Sequence, residues 1–174
     1  DVSDVIVIES FEDTAASVAN QFGVAVFPSL EDIPADATPN TVVFAVKPQS
    51  MDDTAPAYAS FSGEATVFLS IAAGKTIDYF QAILGDQAAI VRAMPNTPAA
   101  VGRGITVACA NAYTNDAQVS RCDGLLQAVG TVAWVEDEGL LDAVTALSGS
   151  GPAYVFALAE CMAEAGIDAG LPAD

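Results

Sequence analysis

The chain has 174 residues, 52% of them hydrophobic, a mean hydropathy of +0.42 and a formal net charge of −18 from 23 acidic and five basic side chains. This supports a packed core and excludes a disordered chain, and the charge argues against nucleic acid or an anionic membrane surface as a partner. No apolar run reaches the roughly 18 residues of a membrane helix, and no basic-then-apolar leader is read at the start, so a cytoplasmic location is expected.

In chain order, DVIVIES (4–10) is a Val/Ile run that reads as a buried strand, and FEDTAASVANQFG (11–23) has helical spacing with Gly23 as its stop. VAVFP (24–28) is a second short strand, and EDIPADATPN (31–40), with two prolines, is a loop or broken helical turn. TVVFAV (41–46) is a strand, followed by a turn and a weak helix over PQSMDDTAPAYASF. ATVFLSIAAG (65–74) is a strand and glycine turn, TIDYFQAIL (76–84) a helix, and AAIVRAM (88–94) a strand leading into the loop PNTPAAVGRG. ITVACA (105–110) is a strand, NDAQVSRCDGLLQAVG (115–130) a helix, and TVAWVED (131–137) a last strand. From Gly139 onward the pattern is helical.

Strands alternating with helices of about a dozen residues predict crossover units, hence an α/β fold with a mostly parallel sheet covered on both faces. The helical end reads as the start of an all-α domain. Cys109, Cys122 and Cys161 are widely spaced, form no CxxC and have no histidine beside them, so free thiols in a reducing compartment are expected and no metal site.

Ligands of open α/β sheets lie beyond the carboxyl ends of the strands. Those ends carry Glu9-Ser10, Lys47-Pro48-Gln49, Ala72-Ala73-Gly74 and Pro95-Asn96-Thr97-Pro98. They are small, rigid or hydrogen-bonding residues with one cation among them. Lys47 can reach an anionic group, aimed by Pro48, or be a solvated strand-end charge. Glu9 can accept from both hydroxyls of an adenosine ribose and repel a 2′-phosphate, or be a helix N-terminal acid beside Glu12 and Asp13. Between its prolines, Asn96 can hold one orientation toward a ligand amide, or belong to an ordinary turn. Arg92, inside a strand, is expected to pair with an acid. SGSGPAY (148–154) opens a long helix with Pro152 in its first turn and Ser150 or Gly151 as cap; its amides can hold a carboxylate or simply be capped. No G-x-G-x-x-G occurs, and without histidine no Ser-His or Cys-His nucleophile can form, so no catalytic residue is assigned.

FAVKPQ, SIAAGKT, RAMPNTPAAVGRG and ALSGSGPAY, in this order, resemble the pyrroline-5-carboxylate reductase family over nearly the whole chain. The resemblance implies a doubly wound, Rossmann-like dinucleotide-binding domain over residues 1–138 and, over 139–174, the beginning of a helical domain that makes homo-oligomers and holds substrate. It implies NADPH- or NADH-dependent reduction of 1-pyrroline-5-carboxylate to L-proline by hydride transfer to a cyclic imine. It places Ala45, Val46, Lys47 and Pro48, with Ile71, Ala72, Ala73 and Gly74, along the cofactor, and Asn96 beside the nicotinamide. Compared with the family, the chain starts after the first strand and its glycine-rich turn and stops early in the helical domain, as a central piece would. Glu9-Ser10 stands where many members have neutral or basic residues, so use of NADH at least as well as NADPH is expected. Two other readings remain open: an oxidoreductase of the β-hydroxyacid dehydrogenase type, which the absence of lysine between Pro152 and Gly166 disfavours, and a non-catalytic nucleotide-binding module.

Overall fold

The computed structural model describes residues 2–173; Asp1 and Asp174, the outermost residues of the two expected domains, lie outside the described residues. By its contacts the chain divides into two compact units, residues 1–39 and 40–174.

In the first unit, β1 (Ile6–Ile8) and β2 (Ala25–Phe27) pair in parallel through the crossover helix α1 (Glu12–Phe22). α1 carries Glu12 and Asp13 in its first turn, where the helix dipole favours them, and stops at Gly23 in the left-handed conformation, as its sequence predicts. None of the described residues of this unit is buried.

The second unit holds a five-stranded sheet in the order β3 (Thr41–Phe44), β4 (Val67–Ser70), β5 (Ala89–Met94), β6 (Gly104–Ala110) and β7 (Gly130–Trp134). All pairings are parallel except β5–β6. Every residue of β4 and β5 is buried, which accounts for their unbroken apolar runs: a strand covered on both faces has no polar side to show.

Two cores flank this sheet. On one face Phe44, Phe68, Ile90 and Met94 pack with Met51, Phe80 and Leu141. Phe44 lies between Phe68 and Phe80, with ring centroids 6.0 and 5.5 Å away. The covering elements are α2 (Met51–Thr54), α3 (Ile77–Leu84) and α5 (Leu140–Val144). On the other face Val67, Leu69, Val91 and Ala108 meet Cys122 and Leu126 of α4 (Asp116–Gln127). Two local caps start the longer of these helices. Thr76 accepts from the Tyr79 amide, and Asn115 and Gln118 form a reciprocal capping box at 3.0 and 2.9 Å. All three cysteines are free thiols, and burial pushes the Cys122 thiol up to about 11.

The start of the β6–β7 ladder needs glycine. Gly130 has φ +147°, and a Cβ there would fall 2.0 Å from the Gly104 carbonyl oxygen.

The C-terminal stretch departs from its expected cap. α5 runs through a π-helical turn (Thr145–Gly149) into α6 (Gly151–Asp168), so SGSGPAY lies within a continuous helical path. Pro152 does fall in the first turn of α6, but the Ser150 amide and hydroxyl both donate backward to the Thr145 carbonyl, at 2.9 Å each. The Ser150 side chain therefore caps nothing ahead of it, although its carbonyl accepts from the Ala153 amide at 3.0 Å.

Among the described residues, the one charged side chain in the core is Arg92, 2% exposed, on the same face of β5 as Ile90 and Met94. Its Nη1 donates to Glu138 Oε1 at 2.8 Å, and its Nη2 lies 3.6 Å from Asp142 Oδ1. The same Glu138 oxygen accepts from the Ile77 amide at 2.9 Å, in the first turn of α3. The pairing of Arg92 with an acid is as the sequence suggests. Removing one partner of a buried pair strands the other, and the cost depends on whether the stranded group can reach water. Glu138 is 26% exposed and Arg92 only 3%. Glu138→Ala should therefore cost about 3 kcal/mol in urea unfolding and Arg92→Met clearly less, despite its larger change in volume. Equal losses would contradict this account.

Candidate functional site

Because β3, β4 and β5 are mutually parallel, with Phe44 level with Ser70 and Ser70 with Arg92, their carboxyl ends open on one edge of the sheet. The turns leaving them carry Ala45–Pro48, Ile71–Gly74 and Pro95–Pro98. Neighbouring strands lie about 4.8 Å apart, so the first and third of these turns are separated by about 10 Å at their roots. β6 is antiparallel to β5 and starts on this edge, which brings the Gly104 end of the 97–103 loop there too.

Lys47 is exposed, in extended backbone, with Pro48 opening the 3-10 turn Pro48–Ser50 after it. Its ammonium makes no ion pair among the described residues, whereas Lys75 and Arg92 are both matched by acids. On a chain of net charge −18, the exposed cations Lys47 and Arg103, neither in an ion pair among the described residues, are local attractions for an anion at this edge.

In the second turn Ala72 is buried and Ala73 and Gly74 are exposed. The Ser70 hydroxyl accepts from the Ala72 amide at 3.2 Å. Gly74 has φ +74°, and a Cβ built on it would meet nothing within 4 Å, so the turn presents bare backbone to open space. Lys75, next in sequence, is committed elsewhere. Its Nζ lies 2.7 Å from Asp52 Oδ1 and 4.1 Å from the centre of the Tyr79 ring, and the Tyr79 hydroxyl donates to the same Asp52 oxygen at 2.6 Å.

In the third turn the Asn96 side chain is held at both ends. Its Nδ2 donates to the Ser148 carbonyl at 3.1 Å, and its Oδ1 accepts from the Ile105 amide at 2.9 Å. One N–H and one lone pair of the amide remain for other partners. Thr97–Val101 forms a 3-10 turn with Pro98 in its first positions, the stiff loop its prolines predict.

Glu9 and Ser10 belong to the N-terminal unit. There Glu9 Oε1 accepts from the Phe11 amide at 2.9 Å, at the entrance to α1, while the Glu9 amide donates to the Phe27 carbonyl. Ser10 is exposed.

Residues 138–174 match the family model described as pyrroline-5-carboxylate reductase dimerisation. The pyrroline-5-carboxylate reductase of Pseudomonas aeruginosa is 42% identical over 156 residues, covering 90% of this chain and 56% of the relative. Over most of its length this chain is similar to the pyrroline-5-carboxylate reductases. The solved reductase of Coxiella burnetii superposes with a TM-score of 0.88 at 31% identity over 99% of this chain and 64% of its own. That of Plasmodium falciparum, solved with NADP bound, gives 0.75 at 28% identity over 86% and 57%. The fold is thus the Rossmann-like one of this family with helices at the C-terminal end, and the chain spans a little over half the length of the curated reductases it matches.

Sequence reasoning missed Asp52, Tyr79 and Glu138. Only Lys75 carried a signal, as a second lysine directly after a strand-end glycine. The hydrogen bond to Lys75 holds the Asp52 carboxyl below its ordinary value, and the same bond holds the Lys75 ammonium above its own. The signs follow from linkage: the depressed carboxylate contributes stability above its unfolded value near 3.8, lost as pH falls through the folded value. The raised ammonium contributes below 10.5, lost as pH rises through its folded value. The thermal midpoint difference between the wild type and Lys75→Met should therefore be flat from about pH 5 to 9 and shrink outside that window. A difference that instead changed steeply near neutrality would show that other groups control the pair.

Proposed function

We propose that the full-length protein reduces 1-pyrroline-5-carboxylate to L-proline with NADPH or NADH. The support is the alignment of three parallel strand ends on one edge, where the exposed Lys47 follows β3 and the open Ala73–Gly74 turn follows the neighbouring β4. An exposed cation and bare backbone amides suit the anionic phosphates of a dinucleotide, so the residues present fit that group. When bound, the nicotinamide supplies the hydride, which adds to the imine carbon while the ring nitrogen gains a proton. Lys47 would hold phosphate charge, residues 71–74 would let the backbone approach closely, and Asn96 would fix the ring end of the site. An imine needs little further activation, so the chain's task is to orient two planar rings and exclude water. That task is consistent with a site without histidine.

Residues 1–138 would form the dinucleotide-binding domain and 139–174 the start of the helical one. α6 has no buried residue, and Tyr154, Val155, Phe156, Leu158 and Met162 are each 62–68% exposed. An apolar helix left this open fits a homo-oligomer contact, in line with the dimerisation match over the same residues. Three free thiols fit a reducing, cytoplasmic compartment.

The test is proline formation from 1-pyrroline-5-carboxylate with each hydride donor. Lys47→Met should raise the dinucleotide KM about tenfold, the worth of one charge-assisted hydrogen bond, with a smaller change in kcat. NADH should serve at least as well as NADPH, and Glu9→Ser should shift the ratio toward NADPH. A large NADPH advantage in both the wild type and Glu9→Ser would overturn the ribose assignment, and binding of nucleotide without turnover would favour the non-catalytic module.

A further inference from the structure

The Asp52–Lys75–Tyr79 cluster joins two of the three turns on the candidate edge. Asp52 lies in α2, just after the Lys47–Pro48 turn. Lys75 directly follows Gly74, and Tyr79 sits one turn into α3. α2 is already anchored, because its first residue, Met51, and Ala55 directly after it are fully buried. The Ala73–Gly74 turn is not: both residues are exposed and a Cβ built on Gly74 would meet nothing within 4 Å. Upstream it is tied by Ser70 to Ala72; downstream, before the start of α3 that Thr76 and Glu138 hold, its side-chain tie is Lys75, 18% exposed under its contacts with Asp52 and the Tyr79 ring.

We infer that Lys75 is a positioning residue: latched to Asp52 and Tyr79, it sets the spacing between the Gly74 turn and the Lys47 turn, and so the width of the slot for a dinucleotide's phosphates. The inference rests on the reading above only for the identity of the occupant. It assigns opposite tasks to the two lysines of this edge, Lys47 meeting the ligand and Lys75 holding the wall.

The two possible roles of Lys75 predict opposite signs for one substitution. If Lys75 met the phosphates itself, Asp52→Asn would free its ammonium, remove a nearby negative charge and tighten binding. As a latch, Asp52→Asn loosens the turn and weakens binding. An exposed pair of this kind supports an effect of about two- to fivefold.

The experiment uses the full-length protein with two readouts. In fluorescence titration with NADPH, Asp52→Asn and Lys75→Met should each raise the Kd about threefold. The double variant should be no weaker than the weaker single one, and Lys75→Arg should recover most of the affinity. By hydrogen exchange without ligand, the Ala73, Gly74 and Lys75 amides should exchange faster in Asp52→Asn while those of α4 do not change. Tighter or unchanged binding in Asp52→Asn, additive losses in the double variant, or unaltered exchange at residues 73–75 would each overturn the latch. A wild type that binds no NADPH would sink the dinucleotide reading instead, and the exchange measurement would still decide the latch.

Discussion

The fold of the larger unit turns on one buried charge. Arg92 sits mid-strand in a sheet whose neighbouring residues are almost all apolar, and a lone guanidinium there would be prohibitively costly. Glu138 relieves it and, with the same oxygen, receives the first-turn amide of α3. One carboxylate thus fastens the central strand, the helix that follows the Gly74 turn and the segment leading into α5. The apolar packing of Phe44, Phe68 and Phe80 supplies bulk cohesion, but it is not directional; the Arg92–Glu138 contact gives α3 its register over the sheet.

From that register the candidate site follows. α3 can start only where Glu138 receives it, so the β4–α3 turn is confined to a short span between Ser70 and Thr76. The Ala73–Gly74 backbone has to bulge outward within that span, beside the end of β3. On the far side of the same edge, Asn96 ties the third turn to the π-helical Ser148. Buried strands and helix caps therefore set the edge, and polar contacts of long sequence separation set the shape of the turns on it.

Much of this was legible in the sequence. Among the described residues, five of the seven strands fall inside the runs that Val, Ile, Phe and Ala mark out, and β6 and β7 begin one residue earlier, at Gly104 and Gly130; only β4 and β5 are buried throughout, as strands covered on both faces. Gly23 and Thr76 announced helix boundaries for local reasons. The reversal of β6 left a subtler trace. Only nine residues, 95–103, separate β5 from β6, fewer than the dozen or so a parallel crossover needs, so an antiparallel return was required. The contacts of Lys75 with Asp52 and of Arg92 with Glu138 span 23 and 46 residues, and no periodicity carries such pairings. The π-helical turn was hidden because Gly and Ser at 148–151 signal a break wherever tertiary contacts do not override them.

The N-terminal unit pairs two three-residue strands around one helix without a single buried side chain among its described residues. Burial is what makes local opening expensive, so this part of the chain should open at a small fraction of the global unfolding cost. In a chain of these 174 residues alone, a protease would make its first cuts before residue 40.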